Sequence, residues 1–234
     1  MAHALHVDRV SSGYKASLVL RETSLRVLQG EAVALLGKNG MGKSTLMKTV
    51  MGYLPKQSGT VHIGDHDVTR SAPHQISMLG VAYAAQERAL FNELSVRDNL
   101  RLGLHRETLF EERFTEIETV FPVFKSRLKQ PAGTLSGGEQ KMLLVARSLM
   151  LRPALLLLDE ISEGVQPSVI DRIARALSWA RERHGTTLLL VEQNVAFALD
   201  VADRYVVLKR GEFIDSGDAR SEGARHAVFD HLQV

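Results

Sequence analysis

The segment Gly37–Ser44 has the residue types and the spacing of a phosphate-binding loop. Two glycines separated by four residues are followed directly by Lys43 and Ser44, a pattern typical of loops that hold the phosphates of a nucleotide. The lysine supplies a positive charge to the outer phosphates, and the serine hydroxyl is a ligand for Mg²⁺. Thr45 is placed to hydrogen-bond the innermost phosphate. The alternative is a glycine-rich turn that matches the pattern by chance.

A strand before this loop and a helix after it must position these groups. Ala32–Leu36 is apolar throughout, which predicts a buried strand, and Ser44–Met51 predicts a helix. In such a unit several backbone N–H groups converge at the positive end of the helix dipole, and glycines let the backbone approach the phosphates closely. The predicted phosphate-binding set is therefore Gly37, Asn39, Gly40, Gly42, Lys43, Ser44 and Thr45.

A second group of reactive side chains follows an apolar strand. Four consecutive leucines, Leu155–Leu158, predict a strand buried on both faces, and they lead directly into Asp159 and Glu160. Ligands of α/β folds bind at the carboxyl edge of the sheet, where these two acids would lie. Asp159 is predicted to hold Mg²⁺ through water, and Glu160 to act as the general base toward an attacking water. Taken alone, the same residues would fit a solvated acidic turn.

The hexapeptide Leu135–Gln140, Leu-Ser-Gly-Gly-Glu-Gln, is a second candidate anion site. Ser136 and the two glycine N–H groups would lie at a helix N-terminus, which attracts phosphate. The alternative is an ordinary serine N-cap. However, the hexapeptide matches in full the signature of ATP-binding-cassette (ABC) ATPases, and it lies between the other two motifs in the expected order. The chain therefore resembles ABC ATPases over almost its whole length.

The resemblance implies an α/β fold of the P-loop NTPase type, with a mainly parallel core sheet, an antiparallel β subdomain and an inserted helical subdomain. The single domain 1–234 would comprise a nucleotide-binding core with the β subdomain, about 1–90 and 152–234, and a helical signature subdomain, about 91–151. It also implies ATP and Mg²⁺ as ligands. In this family two ATPase domains pair head to tail, so Ser136 and Gly138 would contact the γ-phosphate held by the partner, which is a second copy or a paralogue.

Further site positions follow from the resemblance. Tyr14 matches the aromatic residue that stacks on adenine, although a tyrosine at a strand edge would look the same. Gln86 matches the glutamine that contacts Mg²⁺ and water and signals to the transporter, although it could be a surface polar residue. Gln193 stands where the family usually has a histidine that contacts the γ-phosphate; glutamine can donate a hydrogen bond but carries no charge. Ile161 replaces the usual proline, and Gln166 replaces the usual aspartate of the loop that crosses the dimer.

The same departures narrow the family. Val-Glu-Gln-Asn at 191–194, the Ser-Glu-Gly loop at 162–164 and the segment 133–140 together resemble one subgroup, the F-type ATPases of branched-chain amino acid importers and the related ATPases of urea and short-amide importers. They imply an ATP-hydrolysing importer subunit that works with transmembrane permease subunits and, indirectly, a solute-binding protein. Leu90, Phe91 and Leu94 are candidates for permease contact, although core packing would explain them equally well. The rivals are another importer ATPase, a non-transport ABC ATPase and a scaffold module with a decayed site. The scaffold alternative is disfavoured because the predicted site residues Lys43, Ser44, Asp159 and Glu160 are all intact.

Composition fits this prediction. Hydrophobic residues make up 44% and charged residues 24% of the 234-residue chain, as in ordinary globular proteins. The formal net charge of +2 and the scattered basic residues do not predict a nucleic-acid partner. No apolar run reaches the length of a membrane span, no signal-peptide pattern is present and cysteine is absent. We therefore expect a cytoplasmic protein, peripheral on the inner face of the cell membrane.

The remaining pattern predicts the supporting elements. Strands are expected at 5–10, 23–28, 59–64, 81–84, 187–191, 206–208 and 213–214, with turns around Gly13, Gly30 and Gly64. Apolar residues at helical spacing predict helices from Ser95 to about Phe124, at 138–151 and at 168–184, with breaks at Pro122 and Pro131.

Overall fold

The computed structural model describes residues 3–15, 17–86, 90–104 and 106–232. The strands are β1 His3–Tyr14, β2 Ser17–Leu28, β3 Ala32–Leu36, β4 Lys56–Ile63, β5 His66–Asp67, β6 Val81–Ala84, β7 Leu155–Asp159, β8 Thr187–Glu192, β9 Arg204–Lys209 and β10 Glu212–Asp218. The helices are α1 Lys43–Val50, α2 Pro73–Met78, α3 Val96–Arg101, α4 Phe110–Val120, α5 Gly137–Met150, α6 Pro167–His184, α7 Val195–Val201 and α8 Ala224–Leu232. Short 3₁₀ segments cover Glu107–Leu109, Pro122–Arg127 and Ala132–Thr134.

The core sheet has six strands in the order β10-β9-β3-β8-β7-β6. All its neighbouring strands run parallel except β10, which pairs antiparallel with β9 at one edge. The three central strands are buried along their whole length. The mainly parallel α/β sheet predicted from the apolar runs is confirmed.

Alternate residues of the central strands face two separate apolar clusters, as the period of a strand requires. Leu156 and Leu158 pack in the cluster that contains the apolar residues of α4 to α7. Leu155 and Leu157 pack in the cluster formed with α1 and the inner face of β1 and β2. A run of leucines suits β7 because both of its faces meet apolar side chains.

A second, antiparallel sheet has the order β2-β1-β4-β5. Its strands β1, β2 and β4 are longer than the sequence pattern indicates, and the turn predicted around Gly13 lies just beyond it, where Tyr14 pairs with Ser17. Gly13 lies inside β1 opposite Leu18, and a Cβ there would come within 2.0 Å of the Ser17 carbonyl oxygen. The glycine therefore permits close approach of β2. The turns predicted at Gly30 and Gly64 are confirmed, and both glycines have positive φ values of 75° and 54°.

The segment between β6 and β7 is helical, but it is broken into short pieces. The Ser95 hydroxyl caps α3 by accepting from the Asp98 N–H, and α4 starts only after a 3₁₀ turn. Apolar residues of α4 and α5 share one cluster with α6, so this segment packs on one face of the core sheet. Its separation as a subdomain at about 91–151 stays a prediction.

Three helices are absent from the sequence prediction. The helices α2 and α7 have six and seven residues, too few for an apolar period to stand out. A capping signal does exist for α7, because the Asn194 side chain accepts from the Phe197 N–H. The third, α8, follows the β9–β10 hairpin, which the sequence pattern indicated as the end of the domain.

Candidate active site

The phosphate loop joins β3 to α1, as predicted. A Cβ at Gly37 would approach the Leu208 carbonyl oxygen at 2.5 Å, so this glycine is required by the packing of β9 beside the loop. Gly42 precedes the first residue of α1 with φ of 105°, a conformation that side chains rarely adopt. The Met41 carbonyl accepts from the Gly211 N–H at 3.1 Å, which ties the loop to the β9–β10 hairpin.

Lys43 lies at the centre of the site and is almost wholly buried. Its Nζ donates to the carbonyl oxygens of Gly37 at 2.8 Å and Lys38 at 3.1 Å. It also forms an ion pair with Glu160 Oε1 at 3.2 Å, with side-chain exposures of 3% and 6%. A buried lysine is stable only when it is paired and hydrogen-bonded, so this side chain is fixed between the loop carbonyls and the carboxylate predicted to be the base.

Asp159 accepts hydrogen bonds from two hydroxyl groups. Ser44 Oγ donates to its Oδ1 at 3.1 Å, and Tyr83 Oη donates to its Oδ2 at 3.0 Å. Burial raises the pKa of Asp159, while the two hydroxyl bonds oppose that shift. Burial and the neighbouring Asp159 together raise the pKa of Tyr83. The tyrosine therefore stays a hydrogen-bond donor that holds the carboxylate in place.

Glu160 follows the end of β7 in the left-handed region, with φ of 50°. Gln86 Nε2 donates to its Oε2 at 2.7 Å and to Glu163 Oε2 at 3.0 Å. A non-glycine residue held at positive φ is uncommon, and such residues cluster at functional sites. The backbone directs this side chain toward Lys43 and Gln86 instead of continuing along the strand.

Gln193 reaches the phosphate loop from the end of β8. Its Nε2 donates to Asn39 Oδ1 at 2.7 Å, across 154 positions of sequence. The side chain that replaces the usual histidine thus contacts the loop directly, through an uncharged hydrogen bond.

Tyr14 lies against α1, whereas Gly40 is part of the phosphate loop itself. Tyr14 is 44% exposed, and Lys48 Nζ of α1 lies 5.9 Å from the centre of its ring. An exposed aromatic ring beside the helix that follows the loop is of the type that stacks on a base. Thr45 is buried in the first turn of α1, and Gly40 has φ of 76° with open space around it.

The hexapeptide forms a separate surface. Ser136 caps α5: its hydroxyl accepts from the Glu139 N–H at 3.3 Å, and Glu139 Oε2 accepts from the Ser136 N–H at 2.9 Å. The backbone bond from Ser136 lowers the pKa of Glu139. Gly138 packs under Val169 of α6, because a Cβ there would lie 3.2 Å from that side chain. None of the described hydrogen bonds of Ser136 reaches the phosphate loop, so this surface lies apart from the buried cluster.

Sequence reasoning missed several contacting residues. Tyr83 lies in an apolar run that predicts only a strand. Glu163 follows Asp159 and Glu160 at a spacing that matches no motif used in the sequence analysis. Lys141 Nζ donates to the Glu160 carbonyl at 3.2 Å. Glu192, the last residue of β8, binds Ser162. An acid that ends a buried apolar strand is the one signal that could have indicated Glu192.

Comparison with known proteins decides the family. A family model described as ABC transporter matches residues 20–163. The chain belongs to the ABC transporter family. Among curated proteins, this ABC ATPase is 38% identical over 219 residues to the high-affinity branched-chain amino acid transport ATP-binding protein BraG of Pseudomonas aeruginosa, covering 92% of this chain and 94% of that one.

Two other relatives have similar coverage. The probable branched-chain amino acid transport ATP-binding protein LivF of Archaeoglobus fulgidus is 33% identical over 230 residues, with 97% of each chain covered. The lipopolysaccharide export system ATP-binding protein LptB of Escherichia coli K12 is 36% identical over 220 residues, covering 91% of this chain and 90% of that one.

Solved structures agree on the fold. A structure of the ATP-binding subunit of an ABC transporter has a TM-score of 0.83 at 28% identity, covering 98% of this chain and 97% of that one. A dimeric post-hydrolysis ATP-binding cassette bound to ADP and Pi has a TM-score of 0.83 at 21% identity, covering 93% and 99%, and shows the shared fold alone. The protein is therefore an ABC-type transport ATP hydrolase that binds adenine nucleotide. Among its described residues no helix combines the length and apolar character needed to cross a membrane.

Proposed function

We propose that this ABC ATPase powers an importer of branched-chain amino acids or of a similar small polar solute. The observation that carries the proposal is the near full-length similarity to BraG and LivF, whose names state branched-chain amino acid transport. The similarity to the exporter subunit LptB is of comparable size, so the family alone does not favour import. Support for the branched-chain subgroup also comes from the Val191–Asn194 sequence, Val-Glu-Gln-Asn, on which the resemblance rests. The alternatives are a urea, amide or other amino acid importer and, with less support, a non-transport ABC ATPase.

The chemistry proposed for the buried cluster is in-line attack of water on the γ-phosphorus of ATP. Glu160 accepts the proton of that water as the new P–O bond forms and the bond to the ADP oxygen breaks. Lys43 stabilises negative charge on the phosphoryl oxygens. Because these two side chains form an ion pair with each other, ATP phosphates must take over Lys43 before Glu160 is free to hold the water.

The site also fits the proposed Mg²⁺, since its hydroxyl and carboxylate oxygens are of the kind that this hard cation prefers. Ser44 Oγ and Asp159 Oδ1 lie 3.1 Å apart, and the Gln86 amide contacts Glu160, the residue after Asp159. When bound, the ion neutralises charge that develops on the phosphates. Tyr83 holds the second oxygen of Asp159 and so orients the carboxylate toward this position.

Ser136 and Gly138 are proposed to complete the site of a second ATPase subunit. Both belong to an exposed helix N-terminus whose positive end suits an anion. Ser136 is bonded to Glu139, so the bonds of this polar surface are satisfied within one chain until a partner's phosphate competes for them.

The permease is proposed to dock in a cleft of about 710 Å³ between α2 and the helical segment. Met78, 76% exposed, and Tyr53, 57% exposed, line it with other apolar residues. Arg113 and Arg147 also line it, and no described lining residue is acidic. Two guanidinium nitrogens of Arg113 are buried without a hydrogen-bond partner, and one of them, Nε, lies 4.0 Å from Glu112 Oε1. A permease segment with an apolar face and a carboxylate would satisfy both requirements.

The sequence-based candidates for this contact lie elsewhere. Leu90 is packed against the core, whereas Phe91 and Leu94 are exposed at 59% and 38% but do not line the cleft. Residues 87–89, which follow Gln86 in the sequence, lie outside the described residues.

Uptake in cells tests the proposal. A host strain that lacks this chain should lose uptake of radiolabelled leucine, and the parent gene should restore it while Glu160→Gln should not. Loss of urea or acetamide uptake with normal leucine uptake would favour the alternative importer. Unchanged uptake of all these solutes, with the chain recovered on ribosomes or DNA, would support a non-transport ATPase.

A further inference from the structure

Glu192 is a buried carboxylate that the hydrolysis scheme above does not use. It ends β8 and is 1% exposed. One of its oxygens accepts from the Ser162 N–H at 3.1 Å, and the other accepts from the Ser162 hydroxyl at 2.5 Å. Both oxygens thus accept from Ser162, two positions beyond Glu160, and the Ile161 N–H is a further donor to this carboxyl group.

The turn that carries Glu160 is held at three points. The Glu160 N–H donates to the Val191 carbonyl at 2.9 Å, and the Glu160 carbonyl accepts from Lys141 Nζ at 3.2 Å. The third point is the two-bond contact of Ser162 with Glu192. Glu160 itself has φ of 50°, which a glutamate adopts only when its surroundings impose it.

The end of β8 therefore contacts both halves of the buried cluster. Glu192 binds the turn beyond Glu160, and the next residue, Gln193, binds Asn39 of the phosphate loop at 2.7 Å. Consecutive residues of an extended strand point to opposite sides, so a single strand end serves both contacts.

We propose that Glu192 is a positioning residue for hydrolysis. Its two hydrogen bonds to Ser162, called the clasp below, hold the left-handed turn that aims Glu160 at the reacting water. The inference rests on the proposed role of Glu160 as the base. A filler side chain at this position would be apolar, because burying a carboxyl group carries a cost that only specific hydrogen bonds offset. Burial raises the pKa of Glu192 to about 7, and the Ser162 bonds oppose that rise, as expected if those bonds keep the group there.

Substitution of Glu192 tests the clasp in the assembled transporter ATPase. Glu192→Ala removes both bonds and should lower kcat about tenfold or more with little change in KM for ATP, because a small misplacement of a catalytic group affects the chemical step. Glu192→Gln can still accept from the Ser162 N–H and pair with its hydroxyl, so it should retain most of the parental kcat. Ser162→Ala removes one bond of the two and should give a smaller loss, about threefold.

Thr186→Val is the matched control. Thr186 precedes the opposite end of β8, is fully buried, and donates to the Pro153 carbonyl at 3.0 Å. The variant also loses one buried hydrogen bond, and its kcat should stay within about twofold of the parent, since no site residue depends on it.

Three results would overturn the inference. They are parental kcat in Glu192→Ala, equal loss of kcat in the Gln and Ala variants, and a fall in kcat matched by a similar rise in KM. If Glu192→Ala fails to fold, Ser162→Ala decides, and parental kcat in that variant would reject the clasp. Glu160→Gln separates the two proposals: if it keeps turnover, the base assignment fails, whereas if it abolishes turnover while Glu192→Ala does not, only the clasp fails.

Discussion

The buried cluster around Lys43 and the hexapeptide at the start of α5 are both proposed anion sites at helix N-termini, yet they differ in how complete they are. Lys43, Asp159 and Glu160 are nearly inaccessible and bonded to one another or to their neighbours. Ser136 is exposed, and its described hydrogen bonds go to Glu139 and Gln140 of the same helix. The first region is assembled by strand ends within one chain, whereas the second is bonded within its own helix turn, and we propose that it becomes a site only together with another molecule.

The difference has a physical basis. Charged groups that leave water must be paired at once, so the buried cluster comes with lysine, carboxylates and hydroxyls in contact. A helix N-terminus at the surface can be satisfied by its own capping box and later exchange that bond for a phosphate. The two regions should therefore respond differently to mutation.

The largest expected effect is in the buried cluster. Glu160→Gln removes the proton acceptor, so ATP turnover should fall by about 10² to 10⁴. ATP binding should persist, and a closed dimer should accumulate with ATP, measurable by size-exclusion chromatography. Turnover equal to that of the parent would remove Glu160 from the role of base.

A pair of substitutions sharpens the comparison directly. In the isolated chain, Lys43→Ala should weaken ATP binding about tenfold or more, because it removes a charge-assisted contact to the phosphates. Ser136→Ala should leave that affinity unchanged but reduce ATP-dependent dimerisation and turnover. Isothermal titration of the monomer and light scattering with ATP provide the two measurements. Weaker ATP binding by monomeric Ser136→Ala would mean that the hexapeptide acts within its own chain.

Gln193→Ala tests an uncharged contact within the buried cluster. The side chain contributes one hydrogen bond to Asn39, so the loss of turnover should be about tenfold, smaller than for Glu160→Gln. Steady-state ATPase assays on both variants of the same assembled complex make the comparison. A loss as large as that of Glu160→Gln would assign γ-phosphate sensing to Gln193.

The smallest expected effect is the pH dependence that Glu192 gives to the free energy of unfolding. The folded-state pKa of Glu192 is raised by burial to about 7, above its ordinary value of 4.5. Glu160 is the charged neighbour that adds to the rise. Between pH 4.5 and about 7 the folded chain keeps the Glu192 proton, whereas the unfolded chain releases it. The contribution of Glu192 to the free energy of unfolding is therefore full below pH 4.5 and is lost as pH rises through about 7.

In Glu192→Gln the side chain at this position is neutral at every pH, so the variant should not lose this part of its unfolding free energy as pH rises. Relative to the parent, the variant should gain on the order of 1–3 kcal/mol of unfolding free energy between pH 5 and pH 8. Urea unfolding of both proteins at the two pH values measures the gain. A difference between parent and variant that does not change with pH would place the Glu192 pKa near its ordinary value in the folded protein.

Much of this architecture was predictable because its signals are local. Leu155–Leu158 indicates a strand buried on both faces, and the glycine spacing of the phosphate loop indicates a strand–turn–helix unit. The position of Gly13 inside β1 was not predictable, because the reason for that glycine, a Ser17 carbonyl oxygen 2.0 Å from where a Cβ would lie, belongs to the neighbouring strand. The short helix α7 escaped prediction because seven residues carry too little periodicity.

By itself the sequence determined the family, the phosphate loop, the two acids and the hexapeptide, because each depends on residue types at short, fixed spacing. Only the tertiary structure decided the contacts across the sheet: Gln193 with Asn39, Tyr83 with Asp159, and Glu192 with Ser162. These pairs join residues that are at least 30 positions apart, brought together where parallel strands end at one edge. Strand order and register, which local spacing does not encode, determine which side chains meet there.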